Sequence, residues 1–249
     1  KFTMEKVTFT NSNGLKLSGV YYAGSNERKS KGIILCHGFA SKKDGEKYVF
    51  IAKKCNELGF SVLRFDFGGC GESEKRPILV SDQVVDLQSA IFFMKSKGCK
   101  EFGFLGNSLG GQTVLKASNK EISRTIVLWA PAIAARKKQW IKQRLSKWQK
   151  EKEDYVFTYN EKKYFISKNF IQEQLDVNQK ILCSPIDFPV LTIHGDTDKV
   201  VNISDSKKAM EYFNSDSKLE IILGAGHRFS GENMYKAIDL TVSWFDKWM

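Results

Sequence analysis

Three short stretches of this chain hold residue types that together can do nucleophilic chemistry. Gly106-Asn107-Ser108-Leu109-Gly110-Gly111 follows an apolar run and precedes a helical pattern containing Val114, Leu115 and Ala117. A serine on so sharp a strand-to-helix turn needs glycine on both sides, because a Cβ there would clash. A helix starting at the serine turns its N-terminal dipole toward developing negative charge. A serine hydroxyl is a weak nucleophile at neutral pH; it needs a base, and the base needs an acid to fix its tautomer. His227 ends Gly224-Ala225-Gly226-His227 after one apolar run, and His194-Gly195-Asp196-Thr197-Asp198 follows another, offering Asp196 and Asp198 as acids. Serine, aspartate and histidine in that order, each at a strand's C-terminal end, suit acyl transfer. Cys36-His37-Gly38-Phe39-Ala40 closes a further apolar run. Its small residues let a backbone N–H, here assigned to Phe39, face the nucleophile beside the N–H of Leu109 as an oxyanion hole.

These loops need rigid elements behind them. Nearly continuous apolar runs at 32–36, 61–65, 101–105, 125–129, 190–194 and 219–223 predict strands covered on both faces. Helical periodicity at 46–58, 84–97 and 234–248 alternates with them, and Gly59 and Gly98 stand where a left-handed C-cap would fall. Segments 6–10 and 15–22, joined by Asn11-Ser12-Asn13-Gly14, predict an antiparallel hairpin. Strand–helix alternation with right-handed crossovers gives an α/β architecture with a doubly wound, mostly parallel sheet. Residues 1–131 and 187–249 form its core, and 132–186, too long for an ordinary connection, form a lid insertion over the ligand site.

Bulk properties narrow the functional classes. The chain has 249 residues, enough for one domain without covalent staples. Its 5 cysteines are odd in number with no C-x-x-C pair, which fits reduced thiols in a cytoplasmic protein and argues against a metal site. No apolar run approaches a membrane span, and Lys1-Phe2-Thr3-Met4-Glu5 lacks the apolar core of a secretory signal. The net charge of +11 comes mainly from scattered lysines, which describes a solvated surface and not a nucleic-acid face. Segment 136–153 is the exception, with eight Lys or Arg against two Glu and with Trp140, Ile141, Leu145 and Trp148 at helical spacing. It reads as an amphipathic lid helix whose Trp140 and Trp148 line the substrate pocket.

The blocks "LCHGFA", "RFDFGGCGES", "GNSLGG", "LWAPA", "LTIHGDTDKVV" and "GAGHRFS" cover nearly the whole chain. Together they resemble the α/β-hydrolase family, most closely bacterial cinnamoyl and feruloyl esterases and related small carboxylesterases. The resemblance implies Ser108 as nucleophile, His227 as base and Asp198, rather than Asp196, as acid, with Phe39 and Leu109 as oxyanion donors. It implies hydrolysis of a small-molecule acyl or aryl ester through an acyl-enzyme with no cofactor. Thioesterase and monoacylglycerol-type lipase share that machinery, and a catalytically idle binding protein is the alternative from another class. Asn107 and Cys70 stand where many relatives carry histidine. His37, His194, Asp66, Asp86 and Asp196 read as structural residues that satisfy backbone groups. The sequence leaves a homodimer open.

Overall fold

A computed structural model describes residues 4–249; the reading of the first three residues as free of a signal lies outside them. In chain order the strands are β1 (Met4–Thr10), β2 (Lys16–Tyr22), β3 (Lys31–Cys36), β4 (Ser61–Phe65), β5 (Glu101–Asn107), β6 (Ser123–Trp129), β7 (Gln149–Glu151), β8 (Asp154–Tyr159), β9 (Lys162–Ile166), β10 (Val190–Gly195) and β11 (Lys218–Ile222). The helices are α1 (Glu46–Glu57), α2 (Val80–Ser96), α3 (Leu109–Ala117), α4 (Lys138–Leu145), α5 (Phe170–Leu175), α6 (Gln179–Cys183), α7 (Ile203–Ala209) and α8 (Glu232–Trp248).

Eight strands form one sheet in the order β1-β2-β4-β3-β5-β6-β10-β11. The two pairings that involve β2 are antiparallel and the rest are parallel. Alternation along β3 shows why both faces must be covered. Ile33 and Leu35 join Tyr48, Ile51, Ile238 and Phe245 of α1 and α8 on one face. Ile34 and Cys36 join Leu87, Met94 and Val114 of α2 and α3 on the other. The hairpin turns at Gly14, at φ +81°, while Asn11 Oδ1 accepts the N–H groups of Asn13 and Leu15.

Segment 136–153 differs from the single amphipathic helix its pattern suggests. α4 has 8 residues, and the Trp148 N–H closes back onto the Arg144 carbonyl. β7, β8 and β9 then build a separate three-stranded antiparallel sheet. Asn160 and Glu161, at φ +46° and +61°, turn β8 into β9, the backbone of a tight hairpin. Tyr155-Val156-Phe157-Thr158-Tyr159 is rich in aromatic and β-branched residues, a strand signal that the preceding run of lysines obscured. Trp148 therefore reaches the pocket from the turn after the helix. Ile133, Leu182, Cys183 and Ile186 pack into the main core, so the part that stands over the sheet is shorter than 132–186 and runs from α4 to α5. Two backbone bonds, Ile78 N–H to the Phe165 carbonyl (2.8 Å) and Ser167 N–H to the Ile78 carbonyl (3.1 Å), tie this cap to the core. Glu173 of α5 adds a third tie, accepting the N–H groups of Val80 and Ser81 at the start of α2.

Candidate active site

Ser108 sits between β5 and α3 at φ 51° and ψ −114°. For a residue with a Cβ this is strained backbone, costing on the order of 1–3 kcal/mol unless its surroundings enforce it. They do. Ser108 N–H donates to the Trp129 carbonyl at 2.8 Å, and its own carbonyl accepts from Gly111 and Ala132 at 3.0 Å each. The flanking glycines are sterically required. A Cβ on Gly106 would lie 2.6 Å from Gly111 Cα, and one on Gly110 would lie 2.5 Å from the His37 carbonyl oxygen. Asn107 braces the turn from behind. Its Nδ2 donates to the Trp129 carbonyl, and its Oδ1 accepts from Lys47 Nζ at 2.8 Å and the Tyr48 hydroxyl at 2.9 Å.

Across the sheet's C-terminal edge, His227 Nε2 lies 3.0 Å from Ser108 Oγ, and His227 Nδ1 lies 2.7 Å from Asp198 Oδ2. The Asp198 side chain is fully buried, yet its pKa falls below the usual carboxylate range. Burial opposes ionisation, but hydrogen bonds from His194, His227 and the Val201 N–H outweigh it. An ionised carboxylate only accepts, so Nδ1 of His227 carries the proton and Nε2 is left to accept from the serine hydroxyl. Asp198 Oδ1 also accepts from the Val200 and Val201 N–H groups, at 2.7 and 3.0 Å. Asp196 is exposed and instead accepts the Gly224 N–H at 2.7 Å, closing the loop before His227.

The other two histidines hold this arrangement in place. His194 Nε2 faces Asp198 Oδ2 at 3.2 Å and the Val201 carbonyl at 3.2 Å, both acceptors, so that nitrogen carries the proton. Its Nδ1 then accepts from the Ser206 hydroxyl at 2.7 Å. His37 takes the Phe67 N–H on Nε2 and donates from Nδ1 to the Gly38 carbonyl at 2.8 Å. Burial lowers its pKa despite nearby Asp66, which keeps the ring neutral and the Gly38-Phe39 turn pinned. A Cβ on Gly38 would lie 3.3 Å from Ser108 Cβ, so this turn passes directly beside the serine. The Phe39 and Leu109 N–H groups have no acceptor among the described residues. Beneath the turn, Asp66 binds the Lys43 N–H, Lys43 Nζ and the Glu72 N–H. Asp86 accepts from Asn11, Gly68 and Arg76.

The serine opens into a cavity of about 60 Å³ lined by Phe39, Leu109, Trp140, Trp148, Phe170 and Val200, with Arg136, Arg144 and Gln174 among them. Trp148 is buried and stacks on Phe39 at 6.0 Å between ring centroids. Trp140 is half-buried, with the Arg136 and Arg144 guanidiniums over its ring at 5.6 and 5.4 Å. Sequence reasoning missed these two arginines, because they look like members of a solvated basic helix. Burial pushes the Cys36 thiol up, and the Cys70 thiol up to about 12, so neither competes as nucleophile. Among the described residues no cluster of His, Cys, Asp and Glu could hold a metal ion, and no helix is long and apolar enough to cross a membrane.

A doubly wound sheet carrying a serine on a strained strand-to-helix turn defines the α/β-hydrolase class. The family model described as "Serine aminopeptidase, S33" matches residues 27–180, and the chain belongs to that family of α/β hydrolases. It is 34% identical over 94 residues to an uncharacterized 31.7 kDa protein of Escherichia coli, covering 36% of this chain and 32% of that one. It is 30% identical over 185 residues to the palmitoyl-protein thioesterase ABHD10 of Rattus norvegicus, covering 70% of this chain and 60% of the relative. The chain thus spans about a third of the first relative and under two thirds of the second. In structure it resembles Est1E of Butyrivibrio proteoclasticus, solved with ferulic acid bound, at TM-score 0.80 and 18% identity over 97% of this chain and 98% of that one. At that identity the likeness concerns the fold.

Proposed function

We propose that this chain is a serine esterase that cleaves carboxylic esters of short acyl or aryl groups through an acyl-enzyme. The observation that carries the reading is the continuous chain Ser108 Oγ, His227, Asp198, at 3.0 and 2.7 Å, on a backbone strained to present the serine. His227 Nε2 takes the Ser108 proton as Oγ attacks the carbonyl carbon, and the carbonyl oxygen becomes an oxyanion facing the Phe39 and Leu109 N–H groups. Collapse expels the alcohol, which takes the proton from His227. Water then enters, gives a proton to His227 and attacks the acyl carbon. The acid leaves as Ser108 recovers its hydrogen. Each oxyanion N–H contributes about 3–4 kcal/mol to such a transition state.

Thioester cleavage is the second reading, favoured by the rat relative's description as a palmitoyl-protein thioesterase. The aromatic lining beside the serine, Phe39, Trp140, Trp148 and Phe170, suits a short acyl or aryl group.

The test is a panel of p-nitrophenyl esters from acetate to dodecanoate, with methyl ferulate and a short acyl thioester, against the chain and its Ser108→Ala variant. We expect the short-chain esters to turn over best and dodecanoate poorly. Ser108→Ala should lower kcat by roughly 10⁶-fold. No turnover of any substrate, together with no labelling of Ser108 by a fluorophosphonate, would overturn the reading in favour of a binding protein that keeps the fold.

A further inference from the structure

Two cations line the cavity that holds the candidate nucleophile, and neither is paired. Among the described residues no carboxylate lies within 4 Å of the Arg136 or Arg144 guanidinium, and neither side chain donates a hydrogen bond. Arg136 Nε is shut off from solvent with no acceptor. A buried polar nitrogen without a partner is rare and calls for an explanation.

Cation–π contact accounts for part of the arrangement, since both guanidiniums lie over the Trp140 ring. It engages the charge but supplies no in-plane acceptor, and the Arg136 Nε–H stays shut off from solvent without one. Burial disfavours the charge on both groups. The two also repel each other, while Asp205 and Asp198 help Arg136 only from beyond pairing distance. Asp198 is already committed to His194 and His227. An anion in the cavity would relieve the repulsion and give the orphaned Arg136 Nε–H an acceptor in one step, because a planar carboxylate matches the guanidinium fork.

We propose that the substrate is a half-ester of a small dicarboxylic acid, its free carboxylate held by Arg136 and Arg144 while its ester carbonyl lies at Ser108. This rests on the esterase reading above and narrows its substrate class. Ser108, Arg136 and Arg144 line one cavity, which sets the carboxylate close to the scissile bond. Hydrolysis releases the alcohol and leaves a dicarboxylate. The reaction that supplies the substrate is one that leaves a dicarboxylic acid esterified at a single end.

Calorimetry on Ser108→Ala separates the two readings, because it needs no turnover. The probes are the monomethyl esters of malonate, succinate, glutarate and adipate, with methyl 4-methylpentanoate as the uncharged isostere of the succinate half-ester. At least one half-ester should bind ten-fold or more tighter than the isostere. Adding Arg136→Met and Arg144→Met should remove that preference, and Arg144→Lys alone should keep part of it. If no half-ester binds better than the isostere, or if the preference survives the double arginine change, the proposal is wrong. The first comparison uses a single protein, so it decides the matter even if the arginine variants fold poorly. Turnover of the neutral ester by the unaltered chain tests the esterase reading on its own.

Discussion

At the scale of single residues, two carboxylates two positions apart in one loop have divided the work by environment. Asp198 is buried against two histidines and two amides, while exposed Asp196 closes the loop onto Gly224. Asp198→Asn should therefore lower kcat by roughly 10⁴-fold, since an amide at that place favours the wrong His227 tautomer. Asp196→Asn should lower it less than about ten-fold, because the exposed loop bond it weakens is worth only about 0.5–1.5 kcal/mol; steady-state kinetics on the best ester reads both. Lys47 gives a prediction of a different kind. Burial, with help from the charge of Arg228, lowers its pKa to about 8. A lysine whose pKa falls on folding destabilises the native state while it is charged, and the penalty fades as pH rises from the folded value toward the unfolded one, about 10.4. Lys47→Met should therefore raise the urea midpoint most below pH 8, with the gain shrinking by pH 10; a gain that does not change with pH would overturn this. Of this candidate site, the places of Ser108, His227 and the loop of Phe39 were legible because each needs particular glycines or a fixed place after an apolar run. The support from His194 to Asp198 was not legible, because only the fold of the loop turns that ring onto the carboxylate.

At the scale of elements, β3, β4, β5, β6 and β10 announced themselves as short apolar runs, because burial on both faces leaves room for little else, whereas the edge strand β11, expected to be covered on both faces, buries only Ile222. The cap gave a weaker signal. Its small sheet is half-exposed, so its strands mix lysines with aromatics and imitate the polar side of a helix. The length of α4 was equally hidden, since Trp140, Ile141, Leu145 and Trp148 fit one helical stripe even though the helix stops at Leu145. What holds the cap in register is local and testable. Glu173 puts a carboxylate on the first two N–H groups of α2, where the helix dipole also favours negative charge. Glu173→Gln should cost about 0.5–2 kcal/mol of stability, as the loss of an N-cap does. It should also speed proteolysis within the cap before the core unfolds, a pattern limited proteolysis followed by mass spectrometry would reveal.

At the scale of the whole molecule, 39 basic side chains against 28 acidic ones surround a cavity that itself holds two unpaired arginines. Scattered surface lysines set a positive field over the chain, and such a field gathers anions and speeds their encounter with a cleft of the same sign. The field is screened beyond about 10 Å at 0.1 M salt, whereas contacts inside a small cavity are screened much less. Two contributions to anion capture should therefore separate by ionic strength. Binding of monomethyl succinate to Ser108→Ala should weaken several-fold between 20 and 500 mM sodium chloride, while binding of methyl 4-methylpentanoate should stay flat. Replacing Arg136 and Arg144 with methionine removes two charges from a net +11, so most of the surface field survives that change. The double variant should accordingly bind the half-ester more weakly at every salt concentration, yet keep most of the salt slope. A slope that disappears with the two arginines would place the attraction inside the cavity alone and reduce the remaining lysines to a role in solubility.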